Sequence, residues 1–158
     1  MYKDEILVGN SRIGANSPPF IIAEMSGNHM GSMERALKIV EEVAKTGAQA
    51  IKLQTYTADT MTIDIKEREF YIDDNSSIWK DRSLYELYTQ AHTPWEWHEQ
   101  IFKVANEEGL ICFSSPFDNT AVDFLENLNT PAYKIASFEI TDIPLIETTM
   151  SPGRILAL

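Results

Sequence analysis

Residues 20–54 read FIIAEMSGNHMGSMERALKIVEEVAKTGAQAIKLQ, and this stretch decides the fold. It opens with an apolar run that ends on Glu24, continues with a helix that Ser32 can cap, and closes with an apolar run that carries Lys52. A strand, a helix and a strand in this order predict a right-handed βαβ unit. Both runs are continuous rather than alternating, which is typical of parallel strands buried on both faces.

The same order of elements continues along the chain. We predict a long polar loop over 55–82, a helix over 83–91, a helix from Thr93, a strand over 110–114, a helix from 118 or 119, a strand over 132–136 and a helix over 142–150. Thr93-Pro94-Trp95-Glu96 predicts a capping box, with Thr93 as the cap and Pro94 at the first helical position. About four strand–helix units predict an α/β fold with a parallel sheet.

Composition limits the classes of partner. The chain has 158 residues, 13 Lys and Arg against 24 Asp and Glu, and a formal net charge of −11. An acidic chain without a Lys/Arg cluster is a poor ligand for nucleic acid. The single cysteine excludes an internal disulfide, residues 1–15 lack the apolar run of a signal peptide, and no stretch has the apolar length of a membrane span. We therefore expect a cytoplasmic protein with neither nucleic acid nor membrane as a partner.

Reactive side chains recur where the predicted strands end. They are Glu24 after the first strand, Lys52 in the second, Ser115 after the third, Lys134 in the fourth, and Ser137 and Glu139 just beyond it. In parallel sheets and barrels, ligands bind at the carboxyl ends of the strands. The lysines and serines therefore predict a cradle for a phosphate or carboxylate, and the two glutamates are candidates for acid–base work. The alternative is that each lysine only pairs with a neighbouring carboxylate, because a buried charge needs a partner.

The remaining polar candidates give weaker predictions. His29 lies in a loop flanked by glycines, where it either contacts substrate or is simply exposed. His92 and His98 are predicted to be surface or packing residues, and the three histidines lack metal-ligand spacing. Cys112 is predicted to be a small core residue. The residues therefore predict no metal site.

Five strings carry a resemblance to a known family. IIAEMSGNHMGS (21–32), AIKLQTY (50–56), CFSSPFD (112–118) and PAYKIASFE (131–139) resemble the N-terminal half of the sialic-acid synthase family. LYELYTQAHTPWEWH (84–98) resembles its pseudaminic acid synthase branch. The resemblance implies a (β/α)₈ TIM-type barrel, of which about the first four βα units are present.

The resemblance also implies an enzyme of carbohydrate and polysaccharide biosynthesis. Members of the family condense phosphoenolpyruvate with an N-acylated amino sugar, form a C–C bond, and release a nine-carbon 2-keto sugar acid. They cleave the C–O bond of phosphoenolpyruvate. A divalent metal, Mn or Mg, activates the sugar aldehyde in the full-length enzyme, and its ligands are two histidines on later strands. The full-length protein is implied to be a homodimer.

Roles for individual residues follow from the same resemblance. Four positions match those that hold phosphoenolpyruvate: Lys52, Ser115, Lys134 and Ser137. Glu24 matches a carboxylate near the sugar. Glu139 matches the carboxylate that stabilises an oxocarbenium-like intermediate and manages the attacking water.

The sugar is predicted from one departure. Where N-acetylneuraminate synthases carry an asparagine that contacts the sugar, the nearest position here is Trp79. An indole in place of an amide favours a more apolar sugar, the 2,4-diacetamido-2,4,6-trideoxy hexose used by pseudaminic acid synthases. An N-acetylneuraminate synthase, which uses N-acetylmannosamine, is the alternative.

Length gives a further expectation. A (β/α)₈ barrel needs about 250 residues, so we expect residues 1–158 to be the incomplete N-terminal part of one, without the antifreeze-like C-terminal domain. SPGRILAL (151–158) departs from the continuation that the family would show, a fifth strand leading into a Ser-Thr-Gly motif. We expect the 158-residue chain alone to be inactive. The alternative is a truncated, non-catalytic half-barrel that binds an anion weakly or associates with itself through open sheet edges.

Overall fold

The computed structural model describes residues 5–157, which form a parallel sheet covered by helices. The elements in chain order are β1 (Glu5–Val8), β2 (Ser11–Gly14), β3 (Ile22–Glu24), α1 (Met33–Ala44), β4 (Ala50–Thr55), α2 (Ala58–Met61), a 3₁₀ turn (Arg68–Phe70), α3 (Leu84–Ala91), α4 (Trp95–Glu107), β5 (Ile111–Pro116), α5 (Asn119–Asn127), β6 (Ala132–Lys134), a 3₁₀ turn (Ser137–Thr141), α6 (Ile143–Met150) and β7 (Ile155–Ala157).

The sheet confirms the predicted α/β architecture. Its strands run in the order β3-β4-β5-β6-β7, and every neighbouring pair is parallel. The four predicted βα units are present, and a fifth strand follows them. The prediction that 151–158 departs from a fifth strand is therefore wrong, because 155–157 pair with 132–134 along β6. An extended apolar tripeptide satisfies its backbone groups by adding to an available strand edge.

Helix starts follow their capping residues, with one exception. The side chains of Ser32, Ser83 and Asp118 accept hydrogen bonds from the first turns of α1, α3 and α5. The capping box predicted at Thr93 is wrong: α4 has Pro94 as its N-cap and no side-chain cap. The Thr93 hydroxyl instead lies 3.2 Å from Nε2 of His29. It therefore bonds to a residue distant in the sequence and does not cap its own helix.

The helices pack on one face of the sheet, which we call the outer face. Its largest core contains Met25, which follows β3, and Ile51, Leu53 and Cys112 from the strands, packed against α1 and α4. A second core joins Tyr133 and Ile135 to α5 and α6. Cys112 is buried, as predicted for a small core residue.

The opposite, inner face has its own small core at the amino ends of the strands. Ala50, Phe113 and Ala132 pack there against Val8 of β1. Val8 belongs to a β1–β2 hairpin that the sequence interpretation missed. The signal was Gly9-Asn10 between two short runs, since Gly-Asn is a common two-residue hairpin turn and Gly9 has a φ of +54°. The hairpin covers the amino ends of the strands and leaves their carboxyl ends for polar side chains.

Strand β3 differs from the expectation of burial on both faces. Ile21 is 56% exposed and Ile22 is 40% exposed. The reason is position, because β3 is an edge strand of this sheet and has β4 on one side only.

Candidate active site

Strand register gathers four of the predicted site residues on the inner face, at the carboxyl ends of the strands: Glu24, Lys52, Ser115 and Lys134. Glu24 of β3 lies beside Lys52 of β4 in the register, and Gln54 lies beside Ser115 of β5. Because alternate residues of a strand point to the same face, these four side chains share one side of the sheet. On β6, Tyr133 pairs with Ser114 and points outward, so the following residue, Lys134, points inward.

The lysine in β4 is buried and paired. Lys52 is 7% exposed, and its Nζ lies 3.3 Å from Oε1 of Glu24, whose side chain is more than half exposed. A buried ammonium needs a counter-charge, and Glu24 supplies one from the neighbouring strand. The pair fits the alternative interpretation of this lysine as an ion-pair partner. It also fits an anion site, since one carboxylate oxygen occupies only one of the three ammonium hydrogens.

Two oxygens among the described residues carry the strongest chemical signal. Ser115 Oγ and Glu139 Oε2 are buried, yet neither has a hydrogen-bond partner within residues 5–157. Leaving a buried polar atom unpaired costs about 1–3 kcal/mol, so such atoms in a folded protein call for an explanation. A ligand that bonds to them supplies one.

Glu139 lies in the 3₁₀ turn that follows β6, together with the exposed Ser137. Burial raises the pKa of the Glu139 carboxyl, an effect that its own backbone N–H and the Lys134 ammonium oppose. A raised pKa makes the Glu139 carboxylate a better proton acceptor, which suits a role in acid–base chemistry.

Directly behind these residues lies a polar cluster that the sequence interpretation did not assign to the site. Thr55, Ser114 and His98 are fully buried on the outer face. Thr55 Oγ1 lies 2.7 Å from Ser114 Oγ and 2.9 Å from His98 Nε2. Burial lowers the pKa of His98 to about 4, so the ring is neutral at neutral pH. The available signal was polar residues at outward positions in two apolar strands.

His29 is buried, so the prediction that it is exposed is wrong. Its Nδ1 accepts a hydrogen bond from the Gly31 N–H at 3.1 Å, and its ring packs edge-on against Trp97 of α4. Burial lowers the pKa of His29, with a smaller contribution from His92. Through its contacts with Thr93 and Trp97, His29 connects the loop after β3 to the start of α4.

Trp79 lies apart from the strand-end residues. It is half-buried and lines a cavity of about 690 Å³ between the loop after β3 and the end of α3. The cavity wall includes Asn28, Arg82 and Gln90 and none of the six strand-end residues. The assignment of Trp79 to the sugar therefore remains a prediction.

Neither a cluster of metal ligands nor a membrane-spanning helix is found among the described residues. Among residues 5–157, no group of three or more His, Cys, Asp or Glu side chains is placed to hold a metal ion. No helix in this part of the chain is long and apolar enough to cross a membrane.

Comparison with known proteins gives consistent relatives. The chain is 53% identical over 123 residues to the pseudaminic acid synthase of Campylobacter jejuni serotype O:2, covering 78% of this chain and 35% of that protein. It is 47% identical over 130 residues to the pseudaminic acid synthase of Helicobacter pylori, covering 82% and 38%. The chain spans about a third of the length of these curated relatives.

Solved structures agree in fold. The N-acetylneuraminic acid synthetase of Leptospira borgpetersenii, determined in complex with citrate, superposes with a TM-score of 0.81 at 29% identity, covering 96% of this chain and 48% of that one. The spore coat polysaccharide biosynthesis protein SpsE of Bacillus subtilis gives 0.73 at 29% identity, covering 96% and 38%. The sequence model described as the NeuB family matches residues 39–158. With parallel βα units and the strand-end residues in place, the chain belongs to the NeuB family.

Proposed function

We propose that this chain provides the phosphoenolpyruvate-binding part of a sugar acid synthase, and that the whole enzyme is a pseudaminic acid synthase. The observation that carries the proposal is the unpaired, buried Ser115 hydroxyl on the face that also bears Lys52 and Lys134. Two ammonium groups and a free hydroxyl match a small dianion. Identity of about 50% to two pseudaminic acid synthases supports the choice of reaction.

In this proposal the anion cradle holds both ends of phosphoenolpyruvate. Lys52, Ser115, Lys134 and Ser137 bind its phosphate and carboxylate oxygens. The buried hydroxyl of Ser115 has no competing protein partner in the described part of the chain, so it is free to donate to the ligand. The Leptospira relative was determined in complex with citrate, a small carboxylate, which supports the proposal of a small anionic ligand for this chain.

The two carboxylates divide the chemistry. The C–C bond forms between the methylene carbon of phosphoenolpyruvate and the sugar aldehyde, and positive charge develops at the carbon that bears the phosphate. Glu139 stabilises that charge and takes a proton from the water that attacks it, for which a raised pKa is suited. The aldehyde oxygen takes up one proton and becomes a hydroxyl, which balances the proton that the water gives to Glu139. Phosphate then leaves with its bridging oxygen and the second proton of that water, and the oxygen from water becomes the keto oxygen. Glu24 lies near the sugar and is kept in place by Lys52.

The sugar is proposed to be a 2,4-diacetamido-2,4,6-trideoxy hexose, with Trp79 in contact with it. The indole lines a cavity with exposed apolar neighbours Met30 and Ile78, which supports an apolar sugar. N-acetylmannosamine, and with it an N-acetylneuraminate synthase, is the alternative. A contact between Trp79 and a sugar at the strand ends requires the ligand, or the loop over 55–82, to bridge the two regions.

Enzymes of this family are generally metal-dependent. Residues 5–157 bring together no cluster of three or more His, Cys, Asp or Glu side chains that could hold the metal. We propose that Mn or Mg binds to the rest of the whole enzyme, which acts in the cytoplasm as a homodimer.

Phosphoenolpyruvate binding is tested on the 158-residue chain by isothermal titration calorimetry. We expect saturable binding that Lys134→Ala weakens by about tenfold or more, because a charged contact is lost. Lys103→Ala is the matched control, since Lys103 is an exposed lysine on α4. Equal affinity of Lys134→Ala and the unaltered chain would leave Lys134 as a structural ion-pair partner only.

The reaction and the sugar are tested in a chimaera. Residues 19–150 replace the matching part of the Campylobacter synthase, and both sugars are supplied with phosphoenolpyruvate. We expect turnover with preference for the trideoxy diacetamido sugar, and loss of that preference in Trp79→Asn. A folded but inactive chimaera would favour a non-catalytic half-barrel. Better use of N-acetylmannosamine would favour the N-acetylneuraminate synthase.

A further inference from the structure

Three buried polar side chains on the outer face lie directly behind the candidate anion site. Thr55 ends β4 and Ser114 lies in β5, and His98 of α4 contacts Thr55. None has measurable exposure. Burying three polar groups is costly unless each is bonded, and apolar residues would fill the same space without that cost. Their presence therefore needs a reason beyond packing.

The hydrogen bonds among them have one consistent direction. His98 Nδ1 lies 3.2 Å from the Pro94 carbonyl, which can only accept, so Nδ1 carries the hydrogen. Nε2 of the neutral ring is then an acceptor for the Thr55 hydroxyl, which in turn accepts from Ser114. The ring is held edge-on against Phe124 of α5, with centroids 5.4 Å apart. The hydrogen bonds therefore run in one direction, from Ser114 of β5 to Thr55 of β4 and from Thr55 to His98 of α4.

The hydrogen bond between Thr55 and Ser114 links β4 and β5 at the end of their backbone ladder, where that ladder is weaker. Thr55 is paired in register with Pro116, which has no N–H to donate. The bond between the Thr55 and Ser114 hydroxyls supplies a cross-strand link at that point. Ser114 precedes Ser115 and Thr55 follows Gln54, and neighbouring strand residues point to opposite faces. A bond that fixes the positions of Thr55 and Ser114 on the outer face therefore also fixes the positions of Gln54 and Ser115 on the inner face.

We propose that Ser114, Thr55 and His98 are positioning residues that set the orientation of the Ser115 hydroxyl towards the bound anion. The proposal rests on the proposed function, in which Ser115 binds phosphoenolpyruvate. The three residues do not touch the ligand. They act by fixing the carboxyl ends of β4 and β5 against each other and against α4.

The test uses a matched pair of variants of the 158-residue chain. Thr55→Val keeps the shape of the side chain and removes the hydroxyl, whereas Thr55→Ser keeps the hydroxyl. Phosphoenolpyruvate titrations are made well below the midpoint of thermal unfolding of each variant. We expect Thr55→Val to weaken binding about fivefold and Thr55→Ser to stay within about twofold of the unaltered chain. Ser114→Ala, which removes the first donor, is the second variant and takes the place of Thr55→Val if that protein does not fold.

A second readout separates this inference from the proposed function. In ¹H–¹⁵N spectra without ligand, the Ser115 amide is expected to shift in Thr55→Val and to remain in place in Thr55→Ser. If the unaltered chain binds no phosphoenolpyruvate, the proposed function fails. The chemical shift of the Ser115 amide in the Thr55 variants then tests the positioning role of Thr55 by itself. An unmoved Ser115 amide, or unchanged affinity in a folded Thr55→Val that is only less stable, overturns the inference.

Discussion

At the scale of single residues, surroundings decide the protonation state of the histidines. Burial lowers the pKa of His98 to about 4, from an ordinary value of 6.5, despite opposing contributions from its backbone partners and Glu96. The neutral ring then serves as a hydrogen-bond acceptor, which an imidazolium cannot do. Protonation of His98 therefore makes Nε2 a donor, reverses the direction of its bond with Thr55 and places a charge in the core.

This predicts a loss of stability in mild acid. The unfolded chain binds a proton at His98 from pH 6.5 downwards and the folded chain only near pH 4, so stability falls as pH decreases between these values. We expect about 2 kcal/mol of the free energy of unfolding to be lost at His98 between pH 7.5 and 4.5. Urea unfolding at both pH values measures it. His98→Gln removes the titrating group, and an equal loss in this variant would contradict the assignment.

At the scale of elements, one acidic side chain joins α5 to the last two strands. Glu126 of α5 accepts hydrogen bonds from the Tyr133 hydroxyl of β6 and from both Nε and Nη2 of Arg154, which precedes β7. The two arginine bonds are 3.2 and 3.3 Å long, and both side chains are about two-thirds buried. A bidentate, partly buried pair is worth more than an exposed one.

The expected effect is measurable against an exposed pair. Arg154→Ala should lower the free energy of unfolding by about 1–2 kcal/mol, because it leaves Glu126 partly buried without its cation. Arg12→Ala breaks the Arg12–Glu5 pair, whose arginine side chain is 71% exposed, and should cost at most about 0.5 kcal/mol. Chemical denaturation of both variants compares them. Equal losses would mean that burial of the Arg154 pair adds nothing.

At the scale of the whole molecule, the sheet has open edges. Within residues 5–157, strand β3 is bonded to β4 on one side only, and Ile21 beside it is 56% exposed. Unpaired edges with apolar side chains promote association between chains. We expect concentration-dependent self-association of the 158-residue chain in sedimentation velocity runs.

A lysine at the edge should suppress this association. Ile21→Lys places a charge beside β3, whereas Ile78→Lys adds the same charge in the long loop, at a residue that is 85% exposed. Only the first variant is expected to move the sedimentation profile towards monomer. A similar response to both changes would show that net charge, rather than the edge, controls association.

Catalysis is also a property of the whole molecule. We expect no synthase turnover from the isolated chain with phosphoenolpyruvate, either sugar and added Mn²⁺, because it spans about a third of the length of its synthase relatives and the family resemblance implies metal ligands on later strands. Release of inorganic phosphate measures turnover. Steady metal-dependent release by the purified chain would show that the described residues suffice.

The amino-acid sequence by itself predicted the order of elements from β3 to α6 and the candidate side chains at the strand ends. Continuous apolar runs predicted the four strands β3 to β6, and capping residues predicted the starts of α1 and α5, because these signals are local. The polar residues at strand ends predicted the side chains that the inner face gathers, because the parallel topology brings those ends to one edge. The roles of these side chains, and of Trp79, remain predictions.

Only the tertiary structure decided what depends on contacts between distant residues. It assigned Thr93 to His29 rather than to its own helix, buried His29, and formed the hydrogen-bonded group of Thr55, Ser114 and His98 across 59 positions. It also showed that Ser115 Oγ is buried without a partner in the described chain. Hydrogen bonding and burial of this kind are set by which elements pack together, and no local pattern encodes that choice.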